Sequence, residues 1–290
     1  MNKKLVAFGA HHDDIEIRGG GTVAKYAAMG YEITYVVAID SVYIDSDFST
    51  PGKRFHELTH DDILSIRENE SRQGARILGT KEPVFWHMKP SFYWTSGKTT
   101  QWRVHFHDDD DLIANMKKYK GKYFCLQAAN SPECIEETRR FLEEIGPEIV
   151  LTQQPNDFHS EHYAISSLVF EACRRLANAG EQIKLYAWEM GSRGKMTRFV
   201  PDVIIDISRH LAQKIDAVNV FKSQCPTKEK HESVINYIKE SAAYWGKKIG
   251  TKSAEPFSEL LINNKTKGFE LNKNDLESCS RFINGIPTRL

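Results

Sequence analysis

The chain lacks the excess of one charge sign that nucleic-acid and membrane-surface proteins carry. Lys and Arg number 39 in 290 residues, Asp and Glu also number 39, and the formal net charge is +0. A surface that binds nucleic acid or an anionic membrane needs clustered positive charge. The balance argues against both, so we expect no nucleic-acid partner and a small-molecule ligand.

Paired cysteines and long apolar runs are also missing. The five cysteines are an odd number without CxxC spacing, at Cys125, Cys134, Cys173, Cys225 and Cys279. This pattern indicates reduced thiols in an intracellular protein. No apolar run reaches the roughly 18 residues of a membrane span, and LVAFGA near the N-terminus is too short for a signal-peptide core. We expect a cytoplasmic protein without a transmembrane segment.

Strand-like and helix-like segments alternate along most of the chain. The predicted strands are residues 5–9, 33–39, 84–88, 148–153, 184–190 and 203–208, and the predicted helices are residues 22–29, 61–79, 135–146, 160–176, 211–222 and 232–245. Continuous apolar strands between helices are typical of buried parallel sheets. The pattern predicts an α/β fold: a single doubly wound, Rossmann-like, mostly parallel sheet with helices on both faces. We expect residues 1–290 to form one domain.

An irregular insertion at about 90–130 interrupts this alternation. It is rich in aromatic residues, including Trp94, Trp102 and Phe106. Loops of this length in compact domains usually serve a site or an interface. We expect the insertion to cover the ligand crevice, with one or more of these aromatic side chains against the ligand.

The densest ionisable cluster follows the first predicted strand. His11, His12, Asp13, Asp14 and Glu16 occur within six residues, before the glycine run 19–21 that we place at the start of a helix. The carboxyl ends of strands in a doubly wound sheet form the ligand crevice. So many ionisable groups in an apolar site would repel one another, and a divalent cation is the simplest way to hold them.

A second polar segment, PNDFHSEHYA, follows the predicted strand 148–153 and reaches the same crevice. We expect Ser160 to cap the next helix, which places His162 in its first turn and His159 just before it. His11, Asp14 and His162 then form a three-ligand metal site with open positions, as a catalytic zinc needs. Asp13 and His159 remain as candidate catalytic acid/base groups.

The two segments together resemble the signatures of the LmbE-like, or PIG-L, family of zinc-dependent de-N-acetylases. AHHDDIEIRGGGT is similar to the family's A-H-P-D-D-x-E-x-G-x-G-G-T, and His159–His162 to its H-x-D-H. The helix with Arg67 and Glu70 resembles its R-x-x-E helix, and residues 242–257 its C-terminal segment. The resemblance touches most of the chain except about 41–61 and 90–130.

The resemblance implies an enzyme that hydrolyses the N-acetyl group of an N-acetylated amino sugar such as N-acetylglucosamine. It implies Zn²⁺, or another divalent transition metal such as Fe²⁺, on His11, Asp14 and His162. It further implies Asp13 as general base, with His159 stabilising the oxyanion or protonating the leaving amine.

Three positions depart from the family pattern. His12 replaces Pro and is either a neighbour or an extra ligand. Arg18 replaces Gly and either fills space or meets an anionic substrate. Glu161 replaces Asp and keeps a carboxylate that we expect to orient His159.

Several alternatives remain open at this stage. Two histidines and a carboxylate also form the site of non-haem Fe(II) oxygenases, which usually lie on β-barrels. A non-catalytic sugar- or metal-binding module would keep the same site without turnover. Arg67 either pairs with Glu70 or nearby carboxylates or touches substrate, and His87 is either packed or part of the site wall. The exact sugar and the oligomeric state, a homo-oligomer included, stay undetermined.

Overall fold

The computed structural model describes residues 3–41, 44–90, 92–93, 103–104, 121–157, 159–189, 199–262 and 265–266. Its strands are β1 (Lys4–Gly9), β2 (Glu32–Ile39), β3 (Ser49–Thr50), β4 (Lys53–Arg54), β5 (Val84–Met88), β6 (Phe92–Tyr93), β7 (Arg103–Val104), β8 (Ile149–Thr152), β9 (Lys184–Trp188), β10 (Val203–Asp206), β11 (Ala254–Ile262) and β12 (Lys265–Thr266). Its α-helices are α1 (Asp14–Ala28), α2 (His60–Leu78), α3 (Cys125–Ala128), α4 (Pro132–Ile145), α5 (Ser160–Asn178), α6 (Leu211–Val218) and α7 (Lys228–Lys248). A 3₁₀ turn spans Phe55–Glu57.

The main sheet has the order β10-β11-β9-β8-β1-β2-β5, with β12 paired to β11. The strands from β9 to β5 are parallel, and β11 is antiparallel to both β9 and β10. Alternate residues of β1 enter different apolar clusters, with Val6 and Phe8 in one and Leu5 and Ala7 in the other. The predicted α/β fold is therefore confirmed: a mostly parallel sheet lies between two helical layers.

The strand order places the crevice at β1 and β8. From β1 the chain builds outward through β2 and β5 on one side, and through β8 and β9 on the other. Ligands of open α/β sheets bind outside the carboxyl ends of the strands where the order reverses in this way. The loops after β1 and β8 carry the two predicted metal segments, so the topology brings both to one crevice.

Two details of α1 and β11 differ from the sequence expectation. The helix α1 begins at Asp14, so the glycine run lies in its interior and not at its start. A Cβ on Gly21 would lie 2.6 Å from a side-chain carbon of Ile207, so the glycines do permit close packing. The strand β11, whose first residues we assigned to a family segment without secondary structure, inserts between β9 and β10.

The structure describes only the last part of the insertion at 90–130 together with β6, β7 and residue 90. Trp94, Trp102 and Phe106 lie outside the described residues, so the crevice-covering role stays a prediction. Four cysteines, Cys125, Cys134, Cys173 and Cys225, are free thiols as expected, and Cys279 is outside the described part. The assignment of residues 1–290 to one domain also stays a prediction.

Candidate metal and catalytic site

Three predicted ligand residues converge at the carboxyl ends of β1 and β8. Nδ1 of His11 lies 3.0 Å from Nε2 of His162, although the residues are 151 positions apart in the chain. Oδ1 of Asp14 lies 3.3 Å from that His162 nitrogen, and Oδ2 lies 3.5 Å from Nδ1 of His11. Asp14 occupies the first residue of α1, and its Oδ2 also accepts the backbone N–H of His11 at 2.7 Å.

A carboxylate lies behind each of the two imidazoles. Oε2 of Glu161 is 2.7 Å from Nε2 of His11, and Oδ2 of Asp157 is 2.5 Å from Nδ1 of His162. An ionised carboxylate accepts hydrogen bonds only, so each of these outer nitrogens donates its N–H. When both imidazoles are neutral, the facing nitrogens are Nδ1 of His11 and Nε2 of His162. Each then carries a lone pair that is directed at the other nitrogen and at Asp14.

This donor set fits a divalent cation. Two facing lone pairs and a carboxylate repel one another unless a positive charge lies among them, and a carboxylate behind a ligating histidine is the usual arrangement at metal sites. We expected Glu161 to orient His159, and the structure adds a hydrogen bond between the same carboxylate and His11. Asp157 was missed, although it is the carboxylate next to the histidines of its own segment.

Charge coupling shifts the pKa values of the three histidines in opposite directions. Burial lowers the pKa of His11, but hydrogen bonds and charges of Asp14 and Glu161 outweigh it and raise the pKa to about 10. Burial also opposes protonation of His162, whose pKa Asp14 and Asp157 nevertheless raise to about 9. Burial and the positive charges of His11 and His162 lower the pKa of His159 to about 3. His159 is therefore neutral at pH 7.

His159 belongs to the same cluster. One ligand atom from each of His11, His159 and His162 lies within 4.8 Å of the others, the only such group found among the described residues. The rings of His159 and His162 stack with their centroids 4.5 Å apart. His159 is the N-cap residue of α5 and Ser160 its first helical residue, so the prediction that Ser160 caps this helix is wrong.

Asp13 precedes Asp14 but is directed at a different partner. Its Oδ1 lies 3.7 Å from Nη2 of Arg67, whose side chain is 2% exposed, whereas the Asp13 side chain is 17% exposed. Asp13 is one of the nearby carboxylates with which we expected Arg67 to pair. Glu70, the other candidate, accepts hydrogen bonds from the backbone N–H and hydroxyl of Ser223. Nε and Nη1 of Arg67 have no hydrogen-bond partner among the described residues.

The other departures from the family pattern have local partners. His12 is fully buried, and its Nδ1 lies 3.0 Å from the hydroxyl of Ser71 on α2. Burial lowers the pKa of His12 well below its usual value, with the charge of Arg67 acting in the same direction. Nη1 of Arg18 donates to the hydroxyl of Tyr237 at 2.9 Å. Each of these residues therefore has a hydrogen-bond partner within the fold.

Residues 6–173, more than half of the chain, match the family described as PIG-L: GlcNAc-PI de-N-acetylase. The chain belongs to this family. The 1D-myo-inositol 2-acetamido-2-deoxy-alpha-D-glucopyranoside deacetylase of Tsukamurella paurometabola is 24% identical over 212 residues, which are 69% of this chain and 66% of that protein. The match thus spans just under two thirds of that relative's length.

Solved structures with a similar fold carry different activities. The N,N'-diacetylchitobiose deacetylase of Pyrococcus horikoshii has a TM-score of 0.64 at 19% identity, covering 94% of this chain and 88% of that chain. The 4-carboxy-2-hydroxymuconate hydratase of Pseudomonas putida has a TM-score of 0.62 at 20% identity, covering 92% and 99%. At these identities the likeness shows the fold alone, so the reaction must be inferred from the site.

No helix in the described part of the chain is long and apolar enough to cross a membrane. The cytoplasmic location stays a prediction.

Proposed function

We propose that this protein is a metal-dependent hydrolase that removes the acetyl group from an N-acetylated amino sugar or its conjugate, releasing acetate and a free amine. The observation that carries the proposal is the convergence of His11, Asp14 and His162 beside two side chains suited to acid/base work. Membership of the PIG-L family supports the amide of an acetamido sugar as the reacting group.

We assign the cation, Zn²⁺ in the first instance, to His11, Asp14 and His162. Two imidazole nitrogens and one carboxylate oxygen are a catalytic zinc donor set that leaves a coordination position open. Asp157 and Glu161 hold the two imidazoles in the tautomer that such binding requires. A bound divalent cation supplies polarisation of the carbonyl and a lower pKa for a nearby water.

Asp13 is the proposed general base. It is adjacent in sequence to Asp14, yet its described ion pair is to Arg67 and not to the histidine cluster. Its carboxylate is partly exposed and free of the ligand set, so it can accept a proton from the water that attacks the carbonyl carbon. The same carboxyl group then gives this proton to the nitrogen as the C–N bond breaks, which leaves acetate and the amine.

His159 is the proposed donor to the carbonyl oxygen. Its pKa is lowered to about 3, and a bound cation acts in the same direction because it adds positive charge nearby. A neutral imidazole can donate one N–H to the developing oxyanion. Such a hydrogen bond typically stabilises the transition state by about 3 kcal/mol. We therefore assign the return of the proton to Asp13, and oxyanion stabilisation to His159.

Purified, zinc-loaded protein incubated with a panel of N-acetylated sugars and sugar conjugates tests this proposal. We expect acetate and primary amine in equal amounts from at least one of them, with no consumption of oxygen. Oxygen uptake without acetate release would indicate the oxygenase alternative. Stoichiometric metal and sugar binding without any product would indicate the non-catalytic module.

A further inference from the structure

A second buried carboxylate lies beside a partly exposed histidine on the other side of β1 from His162. Asp40, which directly follows β2, is 2% exposed, and its Oδ1 lies 2.8 Å from Nδ1 of His87 on β5. The His87 side chain is 29% exposed. The pair belongs to neither of the two metal segments, and the proposed mechanism does not use it.

The backbone at His87 is irregular. Val37 pairs with Phe85 and Ile39 with Met88, so two residues of β5 stand opposite one residue of β2. His87 has a φ of 55°, the only positive φ among the described non-glycine residues. A β-bulge changes the direction in which a side chain points. Strained backbone of this kind persists only where neighbouring residues hold it in place.

The end of the insertion holds this bulge in place. A Cβ on Gly121 would lie 1.6 Å from the carbonyl oxygen of His87, so only glycine permits the observed contact. The backbone N–H of Lys89 donates to the carbonyl of Tyr123 at 2.8 Å, and that of Cys125 donates to the carbonyl of Lys89 at 3.0 Å. These contacts fix the strand immediately after the bulge, and with it the direction of the His87 ring.

The pair lies along the same crevice as the histidine cluster. In the order β8-β1-β2-β5, two strand intervals separate β5 from β1. At about 4.8 Å per interval this is roughly 10 Å, which is about one sugar ring beyond the reacting amide. Phe85 lies between the pair and the segment that carries His11, with its ring centroid 5.7 Å from that of the neighbouring His12 and 6.1 Å from that of His87.

The chemistry of the pair suits a hydrogen-bond donor such as a hydroxyl group. The Asp40 carboxylate accepts the N–H of Nδ1, so in the neutral imidazole Nε2 is a lone-pair acceptor. No described residue donates to this Nε2. We propose that His87, held by Asp40, accepts a hydrogen bond from a sugar hydroxyl in the part of the substrate beyond the acetamido ring. This inference rests on the proposed function and makes His87 a specificity-determining residue.

The test compares one-ring and two-ring substrates. We would measure kcat and KM of zinc-loaded wild-type protein, His87→Asn and His56→Asn on N-acetylglucosamine and on its β-linked disaccharide. Asn tolerates a left-handed φ, so His87→Asn removes the ring without forcing the backbone to change. His56 is an exposed histidine and provides the matched control.

We expect His87→Asn to raise KM for the disaccharide about 5- to 10-fold, the scale of one hydrogen bond. Values for the monosaccharide should change less than about twofold, and His56→Asn should match wild type on both. Isothermal titration with the amine products, glucosamine and its disaccharide, gives a readout without turnover and should show the same selective loss. Asp40→Asn replaces the carboxylate that accepts the Nδ1 hydrogen bond with an amide. This variant should also raise KM for the disaccharide.

An equal rise in the KM of His87→Asn for both sugars, or no rise for the disaccharide, would overturn the assignment while leaving the proposed function intact. Failure of wild-type protein to release acetate from any acetamido sugar would instead overturn the proposed function. Thermal unfolding of each variant identifies misfolding, and the product titration on Asp40→Asn then decides the question independently of His87→Asn.

Discussion

The parallel strands β8-β1-β2-β5 and the antiparallel edge formed by β11 and β10 use charged residues in opposite ways. At the carboxyl ends of the parallel strands, His11, Asp13 and His162 are partly exposed and face a crevice. At the edge, the ammonium of Lys214 lies 2.5 Å from Oε1 of Glu255, and both side chains are about 5% exposed or less. The crevice leaves part of its ionisable cluster accessible, whereas the ion pair at the edge is buried.

The buried pair at the edge positions the helix that carries Asp14. The Glu255 carboxylate accepts the backbone N–H groups of Gly21 at 3.0 Å and Thr22 at 2.7 Å. Lys214 also donates to the carbonyl of Arg18 at 3.3 Å. The glycine run of α1 is thus clamped by the edge of the sheet, while the first turn of the same helix supplies a proposed metal ligand. Along α1, the residue proposed to carry chemistry is therefore separate from the residues that support the helix.

The largest expected effect is loss of a proposed ligand from the parallel region. His11→Ala, Asp14→Ala and His162→Ala should each lose the cation, because water replaces a missing ligand poorly in a three-ligand site. Deacetylation should fall to background. Metal analysis of the purified variants beside His56→Ala checks this, and full occupancy in two of the three would contradict the assignment.

A smaller loss of activity is expected when Asp13 is substituted. Asn has nearly the size of Asp but cannot act as a carboxylate base. Asp13→Asn should keep its metal while kcat falls about 10²- to 10⁴-fold, the usual range for a general acid/base. Metal content and kcat are measured on the same preparation. If Asp13→Asn loses the metal and Asp14→Asn keeps it, the two aspartates have been assigned in reverse.

Cation affinity should rise with pH across the neutral range. The pKa values of His11 and His162 are raised to about 10 and about 9, so below these values each ring carries a proton that a cation must displace. For each displaced proton, the dissociation constant of the cation rises about tenfold per unit fall in pH. Isothermal titration with Zn²⁺ at pH 6, 7 and 8 should therefore show progressively tighter binding, with protons released to the buffer. A dissociation constant independent of pH would show that neither histidine is a ligand.

The smallest effect on catalysis is expected at the antiparallel edge. Glu255→Gln leaves Lys214 as a buried, uncompensated charge, which typically costs about 3–5 kcal/mol of unfolding free energy. Folded protein should nevertheless keep near-normal kcat, because the crevice residues are unchanged. Denaturant unfolding and kcat are measured together, with Lys214→Met/Glu255→Gln as the control that removes both charges. Equal stability of Glu255→Gln and wild type would show that the pair does not clamp α1.

The local pattern of the sequence is sufficient to predict the fold class and the residues that meet in the crevice. Continuous apolar runs are sufficient to place β1, β2 and β8, and polar segments directly after β1 and β8 identify His11, Asp14 and His162. These signals are local, because strand periodicity and the position of a side chain after a strand depend on neighbours in the chain. They also placed Asp13 and His159 nearby, although their roles stay a proposal.

The contacts that hold the site in place become visible only in the folded chain. Glu161 hydrogen-bonds to His11, which lies 150 positions away in the chain, and Lys214 on α6 meets Glu255 on β11. The bulge that aims His87 at Asp40 depends on a one-residue shift in pairing between β2 and β5. Such contacts depend on register and packing between segments distant in the chain, and neither is encoded in the local pattern of apolar and polar residues.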